Sequence, residues 1–114
     1  MPDGLNTIMF PIGDLARAKA VYRELPAVQP SMDEPYFVGF DGDGQHVGLD
    51  PNGHASGMTG PVGYWHVSDI TSSLHALLDA GADTVQDITD VGGGKLIATV
   101  RDADGNVIGL LEPA

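Results

Sequence analysis

The sequence has 114 residues, a hydrophobic fraction of 42%, no cysteine and a formal net charge of −11. This length suits one domain, the lack of cysteine excludes disulfides and thiolate metal sites, and the acidity opposes binding to nucleic acid or anionic membranes. No apolar run reaches the roughly 18 residues of a membrane span, and Met1-Pro2-Asp3-Gly4 does not resemble a signal peptide, so we expect a cytoplasmic location.

The first half of the sequence predicts one helix among short strands. Apolar residues alternate along the first segment, as they do in a strand with one buried face. Asp14 is placed to cap the helix, because its carboxylate can accept hydrogen bonds from backbone N–H groups at the helix start. The expected elements are a strand over 6–12, a helix after Asp14 that Pro26 ends, a short strand at Val28 and Gln29, and strands over 36–40 and 45–49.

The second half predicts the same order of elements after a linker over 51–61, which is rich in Gly, Pro and small polar residues. Asp69 stands where a helix cap is expected, and Gly81 suits a left-handed cap at the other end of that helix. The expected elements are a strand over 62–67, a helix carrying Ile70, Leu74, Leu77 and Leu78, a short strand over 84–88, a loop over 92–94, and a hairpin of strands 95–100 and 106–111.

Two pairs of matching sequence segments indicate an internal repeat. The turn Asp102-Ala103-Asp104-Gly105-Asn106 matches Asp41-Gly42-Asp43-Gly44, and each runs into an apolar strand. Ile12-Gly13-Asp14-Leu15 likewise matches Val67-Ser68-Asp69-Ile70. We therefore predict one domain over 1–114, built from a βαβββ module at about 5–50 and a copy at about 62–112.

These sequence segments resemble those of the vicinal oxygen chelate superfamily, which includes glyoxalases, bleomycin-resistance proteins and extradiol dioxygenases. The resemblance rests on residues 12–18 with Tyr22, on 67–70, on Ala80-Gly81-Ala82 and on 102–112. It implies an α+β fold in which two βαβββ modules form a curled mixed sheet around an open cleft. It also implies a homodimer, since family members commonly form dimers.

Enzymes of this superfamily hold a divalent metal in the cleft with His and Glu side chains. The resemblance carries the four ligand positions to Thr7, Gly48, Val62 and Gly109, and none of these residues supplies an imidazole or a carboxylate. We therefore expect no metal and no other cofactor. The alternative that stays open is a site rebuilt from His46, Asp50 and His66, which would make the protein a lyase, isomerase or dioxygenase.

Strand alternation separates core residues from candidate cleft residues. Trp65 and Phe10 face the helices in this scheme, so both are predicted to lie in the core. The residues predicted to line a ligand-binding cleft are Thr7, Met9, Tyr36, Val38, His46, Asp50, His54, Tyr64 and His66.

The two Asp-x-Asp-Gly turns also match the start of a calcium loop. A calcium loop needs Glu at its twelfth position, where this chain has Asn52 and Pro113, so we interpret both as hairpin turns. Three functions remain: a metal-independent binder that sequesters a small molecule, an enzyme with a rebuilt metal site, and an interaction module with a filled cleft. The first is the prediction, with an unidentified small molecule as partner.

Overall fold

The structure is a computed structural model that describes residues 4–25, 29–42 and 44–114, with the backbone alone for Gln29 and Pro30. The predictions made for Pro26, Val28 and Asp43 lie outside the described residues. The chain divides into two compact units. We call Thr7–Val62 the N-terminal unit, and residues 4–6 together with Gly63–Ala114 the C-terminal unit.

The N-terminal unit has the predicted βαβββ order. Its strands lie in the order β2-β3-β4-β1, in which β1 and β4 are parallel and the other pairs are antiparallel. The hairpin predicted over 36–49 is present, but the strand before it is longer than expected and joins it through a turn at Pro35 and Tyr36. The elements are β1 (Gly4–Pro11), α1 (Leu15–Tyr22), β2 (Gln29–Glu34), β3 (Phe37–Gly42) and β4 (Gln45–Asp50).

The C-terminal unit repeats this plan. Its strands lie in the order β5-β8-β7-β6, again with one parallel pair, β5 and β8. The elements are β5 (Val62–His66), α2 (Ile70–Asp79), β6 (Asp83–Asp90), β7 (Leu96–Arg101) and β8 (Val107–Glu112). The α+β class and the use of two βαβββ units of mixed sheet are thereby confirmed. No helix among the described residues is long and apolar enough to cross a membrane.

Both helices begin as the sequence predicts. Asp14 and Asp69 occupy the N-cap positions in extended conformation, and each carboxylate accepts a hydrogen bond of 3.1 Å from the backbone N–H three residues later. Helix α2 ends at Asp79, and Gly81, two residues later, has a φ of 112°, which is disfavoured for residues that bear a Cβ. The Gly81 and Ala82 N–H groups bond back to Leu78 and Leu77, which is the Schellman pattern.

Asp102 organises the turn between β7 and β8. Its Oδ1 accepts hydrogen bonds of 2.9 Å from the backbone N–H groups of Asp104 and Asn106, and its Oδ2 accepts one from the Asn106 side chain. Gly105 completes the turn at a φ of 87°. The Asn106 side-chain and backbone hydrogen bonds lower the pKa of Asp102, because they favour its ionised form. Hydrogen bonds from Ser72 lower the pKa of Asp69 in the same way.

Each unit has its own apolar core between its helix and its half of the strands. In the N-terminal unit Val38, Phe40 and Leu49 are buried, and Phe10 packs against them with its ring centroid 5.2 Å from that of Tyr22. The placement of Phe10 with the core is therefore confirmed. In the C-terminal unit the buried residues are Ile70, Leu74, Ala98, Val100 and Leu110.

Trp65 corrects the sequence-based expectation. It pairs across the β5–β8 ladder with Leu110, so it lies on the α2 face of the strands as predicted. Its side chain is nevertheless 46% exposed, and the prediction that it belongs to the core is wrong. The physical reason is coverage: alternation assigns a side chain to a face, but a helix of ten residues covers only part of that face.

Candidate functional site

The strand face opposite α1 brings several predicted site residues together in the N-terminal unit. Across the parallel β1–β4 ladder, Thr7 lies beside His46, Met9 beside Gly48, and Pro11 beside Asp50. The antiparallel β3–β4 ladder adds Gly39 beside Gly48 and Asp41 beside His46. Because neighbours across a ladder point to the same side, these residues share one face, while α1 covers the other.

Two glycines form the floor of this face, and we call the apolar group over them the Met9–Phe37 shelf. A Cβ atom on Gly48 would lie 2.8 Å from Met9 Cε and 2.8 Å from Phe37 Cζ, and it would meet Met9 Sδ as well. A Cβ on Gly39 would lie 3.1 Å from Phe37 Cε2 and 3.7 Å from Met32 Cβ. Met9 and Phe37 are half-buried, and Met32 is 39% exposed. The shelf is thus apolar, adaptable and partly open.

The corresponding face of the C-terminal unit is filled more rigidly. Tyr64 lies beside Gly109 in the parallel β5–β8 ladder, and a Cβ on Gly109 would lie 2.6 Å from Tyr64 Cγ. Tyr64 and His66 are each 7% exposed, and Thr99 is 6% exposed. The two units therefore have the same strand arrangement but differ in the side chain that packs over the glycine. The buried ring of Tyr64 covers Gly109, and the flexible thioether of Met9 covers Gly48.

The four positions that family enzymes use for metal ligands do not fit a metal here. Thr7 and Val62 are buried without an imidazole, and Gly48 and Gly109 have no side chain. The space where a ligand side chain would begin is taken by Met9 in one unit and by Tyr64 in the other. Divalent metals need several N or O donors that converge on one point. Among the described residues, no group of three His, Asp or Glu side chains is placed to hold an ion.

The residues of the alternative metal site have other partners. His46 Nδ1 is hydrogen-bonded to Asp41 Oδ1, and because a carboxylate only accepts, Nδ1 is the donor. Asp50 Oδ1 accepts a 2.8 Å hydrogen bond from the Asn52 N–H and so opens the loop after β4. His66 is buried on β5 in the other unit. The hydrogen bonds of His46 and Asp50 and the burial of His66 do not require a metal.

The remaining predicted cleft residues lie elsewhere. Val38 is 1% exposed in the core beneath α1, so its assignment to the cleft is wrong. Tyr36 is 66% exposed in the turn before β3, and His54 is exposed in the loop after β4. The sequence analysis did not include Phe37 among the cleft residues. Phe37 lies two residues from Gly39 on the same strand and therefore shares its face, but the sequence did not show that Gly39 lies beside Gly48.

Glu112 has a structural role that its sequence position did not reveal. Its Oε1 accepts a 2.9 Å hydrogen bond from the backbone N–H of Ile70, the first residue of α2. This carboxylate therefore satisfies a donor that every helix leaves unpaired at its start. It lies on the helix side of β8, away from Gly109, as strand alternation from that glycine requires.

Comparison with known proteins agrees with this geometry. The model of the glyoxalase/bleomycin resistance protein/dioxygenase superfamily matches residues 4–110. A search of curated proteins finds no match. Solved structures share the fold at low sequence identity, so the likeness to them concerns the fold alone.

Three of these structures illustrate the range. A hypothetical protein from Bacillus halodurans C-125 has a TM-score of 0.77 at 12% identity, with 100% of this chain and 96% of that chain covered. A superfamily member from Vibrio splendidus 12B01 has a TM-score of 0.70 at 14% identity, with 94% and 97% covered. Methylmalonyl-CoA epimerase from Mycobacterium tuberculosis has a TM-score of 0.69 at 20% identity, with 97% and 88% covered. By its family match over nearly the whole sequence, this chain belongs to the glyoxalase/bleomycin resistance protein/dioxygenase superfamily.

Proposed function

We propose that the protein is a metal-independent small-molecule-binding member of its superfamily, which sequesters its ligand without converting it. The observation that carries the proposal is the pair of filled glycine positions. Met9 and Tyr64 pack where the family's ligating side chains would begin, so restoring such a side chain would require both to move. A metal site is therefore disfavoured by packing as well as by the lack of donors.

The Met9–Phe37 shelf supplies a surface suited to an apolar ligand. Small-molecule sites are mostly apolar and aromatic with a few polar groups, and His46 and Asp41 provide such groups on the same face. Methionine is unbranched and flexible, so Met9 and Met32 can rearrange around a flat ligand at little cost. The equivalent face of the C-terminal unit is closed by the buried Tyr64, which favours the N-terminal unit as the binding face.

The charge of the chain restricts the ligand further. With 16 acidic and 5 basic residues, the protein attracts cations and repels anions at long range. A multiply anionic acyl-CoA ester, of the kind named for the epimerase relative, is therefore a poor candidate. A flat neutral or cationic compound fits both the shelf and the charge.

Ligand binding is tested by calorimetry and thermal shift with planar aromatic cations, metal-free bleomycin and, as the anionic comparison, methylmalonyl-CoA. We expect a neutral or cationic compound to raise the melting temperature, and Met9→Ala or Phe37→Ala to weaken its binding about 10-fold or more. Met58→Ala is the matched control, since Met58 lies in the loop after β4. If no compound binds, or if the anion binds best, the proposed ligand class is wrong.

Metal independence is tested separately by elemental analysis after dialysis against chelator and then into zinc, nickel or manganese. We expect no stoichiometric retention of metal and no loss of ligand binding in chelator. About one equivalent retained by the native chain and lost from His46→Ala or His66→Ala would replace the binder with an enzyme that uses a rebuilt site.

A further inference from the structure

A cavity of about 210 Å³ lies in the C-terminal unit, between the end of α2 and the turn that joins β7 to β8. We call it the Asp102 cavity. Its inner wall consists of half-buried apolar side chains that also pack against the core of this unit, namely Leu77, Ala82 and Ile108. Its rim is formed in part by Gly81, Asp102 and Ala103. The cavity is therefore an apolar space with a carboxylate at its edge.

The internal repeat places a smaller side chain beside this cavity than at the matching position of the N-terminal unit. Leu77 is the eighth residue after the N-cap Asp69, and Tyr22 is the eighth residue after the N-cap Asp14. Tyr22 packs against its own core, with its ring centroid 5.2 Å from that of Phe10. The same βαβββ plan thus accommodates an aromatic ring at this helix position, where the C-terminal unit has the smaller leucine.

The size of the cavity suits a ligand with one ring or a short alkyl chain. An apolar protein cavity of about 150 Å³ is large enough to hold benzene. The rim is also open at Gly81, because a Cβ atom built on this residue would have no neighbour within 4 Å. A compound of this size therefore has both the space and a path of entry.

The carboxylate of Asp102 can still accept a hydrogen bond from a ligand. Its Oδ1 accepts from two backbone N–H groups, but its Oδ2 accepts a single 3.1 Å hydrogen bond, from the Asn106 side chain. Each carboxylate oxygen has two lone pairs, so Oδ2 retains capacity for a further donor. The lowered pKa of Asp102 keeps the group ionised at neutral pH. The rim thus offers a fixed negative charge.

The surroundings of the rim are negative as well. Helix α2 ends at Asp79 without a basic residue in its last turn, and unpaired carbonyl groups give the end of a helix a partial negative charge. The two basic residues of the C-terminal unit lie elsewhere. Arg101 points to the opposite side of β7 from the buried Val100, and Lys95 precedes the other end of that strand. A cation is therefore favoured at the rim and an anion is disfavoured.

We propose that the Asp102 cavity is a second small-molecule site, which binds a small primary ammonium compound. The apolar body of the ligand fills the space beside Leu77 and Ile108, and its ammonium group donates a hydrogen bond to Asp102 Oδ2. Such a charge-assisted hydrogen bond is stronger than one between neutral groups. The site belongs to the C-terminal unit and does not depend on the function proposed for the Met9–Phe37 shelf.

Amide NMR titrations of the full chain test this site with three probes of similar size and different charge: benzylammonium, benzyl alcohol and benzoate. We expect benzylammonium to give saturable shifts at the amides of Gly81, Ala82 and Ala103, and to bind at least about 10-fold more tightly than benzyl alcohol. Benzoate should give no saturable shift there. Added salt should reduce the advantage of the ammonium over the alcohol, because salt screens the attraction to Asp102.

Asp102→Asn tests the charge at the rim, since it removes the ionisation and keeps one oxygen acceptor in the turn. It should reduce the preference for benzylammonium over benzyl alcohol at least about 5-fold. Asp104→Asn is the matched control, because Asp104 is an exposed residue of the same turn, and this variant should retain most of the preference.

Leu77→Tyr tests the apolar space without altering the turn. It introduces the residue that the N-terminal unit has at the matching helix position, so it should fill the cavity and abolish binding of both benzylammonium and benzyl alcohol. His75→Tyr is its control, because it adds the same ring at an exposed position of α2. Circular dichroism and urea unfolding establish that all four variants are folded.

Three results would overturn the proposal. The first is the lack of saturable benzylammonium shifts around the cavity, including the case in which shifts are confined to β1, β3 and β4 and so place the probe on the Met9–Phe37 shelf. The second is equal affinity for benzylammonium and benzyl alcohol. The third is an equal loss of preference in Asp102→Asn and Asp104→Asn, which would assign the effect to the net charge of the chain.

Discussion

The ring of Tyr64 lies against Gly109, its neighbour across the parallel β5–β8 ladder, and closes the space that a side chain at position 109 would occupy. Met9 lies against Gly48 in the same relationship across β1 and β4. Both units therefore have a glycine at the equivalent strand position, and a different side chain packs over each glycine. This difference leads to the first prediction.

Gly109→Ala should destabilise the protein more than Gly48→Ala. The Cβ at position 109 would lie within 2.6 Å of Cγ of a 7% exposed tyrosine, which cannot withdraw easily, so we expect a loss of about 1–3 kcal/mol. At position 48 the obstacles are the end of Met9 and the edge of the half-buried Phe37, so the loss should stay below about 1 kcal/mol.

Urea unfolding of the two glycine variants measures this difference. Met9→Ala combined with Gly48→Ala is the control, because removing the Met9 side chain makes room for the new methyl group and should reduce its cost. Equal losses at positions 48 and 109 would show that the two glycines are covered with equal rigidity.

Truncation of Trp65 should have a small effect on the stability of the folded chain. Trp65→Ala should cost below about 1 kcal/mol, because nearly half of the side chain already contacts water. Leu74→Ala is the comparison, and its burial at 4% exposure predicts a loss of about 2–5 kcal/mol. A loss of stability for Trp65→Ala as large as that for Leu74→Ala would show that the indole is part of the core.

Glu112 should contribute to stability through the start of α2. Glu112→Ala leaves the Ile70 N–H without its carboxylate acceptor, and we expect a loss of about 1 kcal/mol in urea unfolding. Glu112→Gln keeps an oxygen that can accept the bond and should lose less. If the two variants are equally destabilised, the effect comes from the charge of Glu112 and not from its hydrogen bond.

Acid should destabilise the protein through Asp69 and Asp102. Hydrogen bonds lower the pKa of both carboxyls below the ordinary value of 3.8, so their ionised forms stabilise the folded state. This contribution is complete above the unfolded pKa and is lost as the pH falls through the folded pKa. The melting temperature should therefore drop as the pH falls below about 4.

Asp102→Asn isolates one of these groups. It keeps one oxygen acceptor but removes the ionisation, so its melting temperature should be lower at pH 7 and should fall less steeply in acid. Asp104→Asn removes the same charge from the same turn and serves as the control. A curve for Asp102→Asn that runs parallel to that of the unaltered chain would show that Asp102 does not contribute to acid unfolding.

The sequence by itself determined the local features of this protein. The two helix caps and the Asp102 turn depend on contacts between residues at most four apart, so the spacing of Asp, Gly and Asn is enough to predict them. The repeat of βαβββ units was visible because these local features occur twice in the same order. The family resemblance also depends on these sequence segments, and the family match confirms it. The lack of metal-ligand side chains at the four family positions was likewise readable in the residue types.

The tertiary structure decided which side chains fill the strand faces. The turn at Pro35 and Tyr36 starts β3 at Phe37, and the register beside Gly48 then places Phe37 on the shelf and Val38 in the core. Alternation put Trp65 on the correct face but could not show how far α2 covers it. Register and coverage depend on contacts between residues distant in the chain, so spacing within a single segment does not encode them.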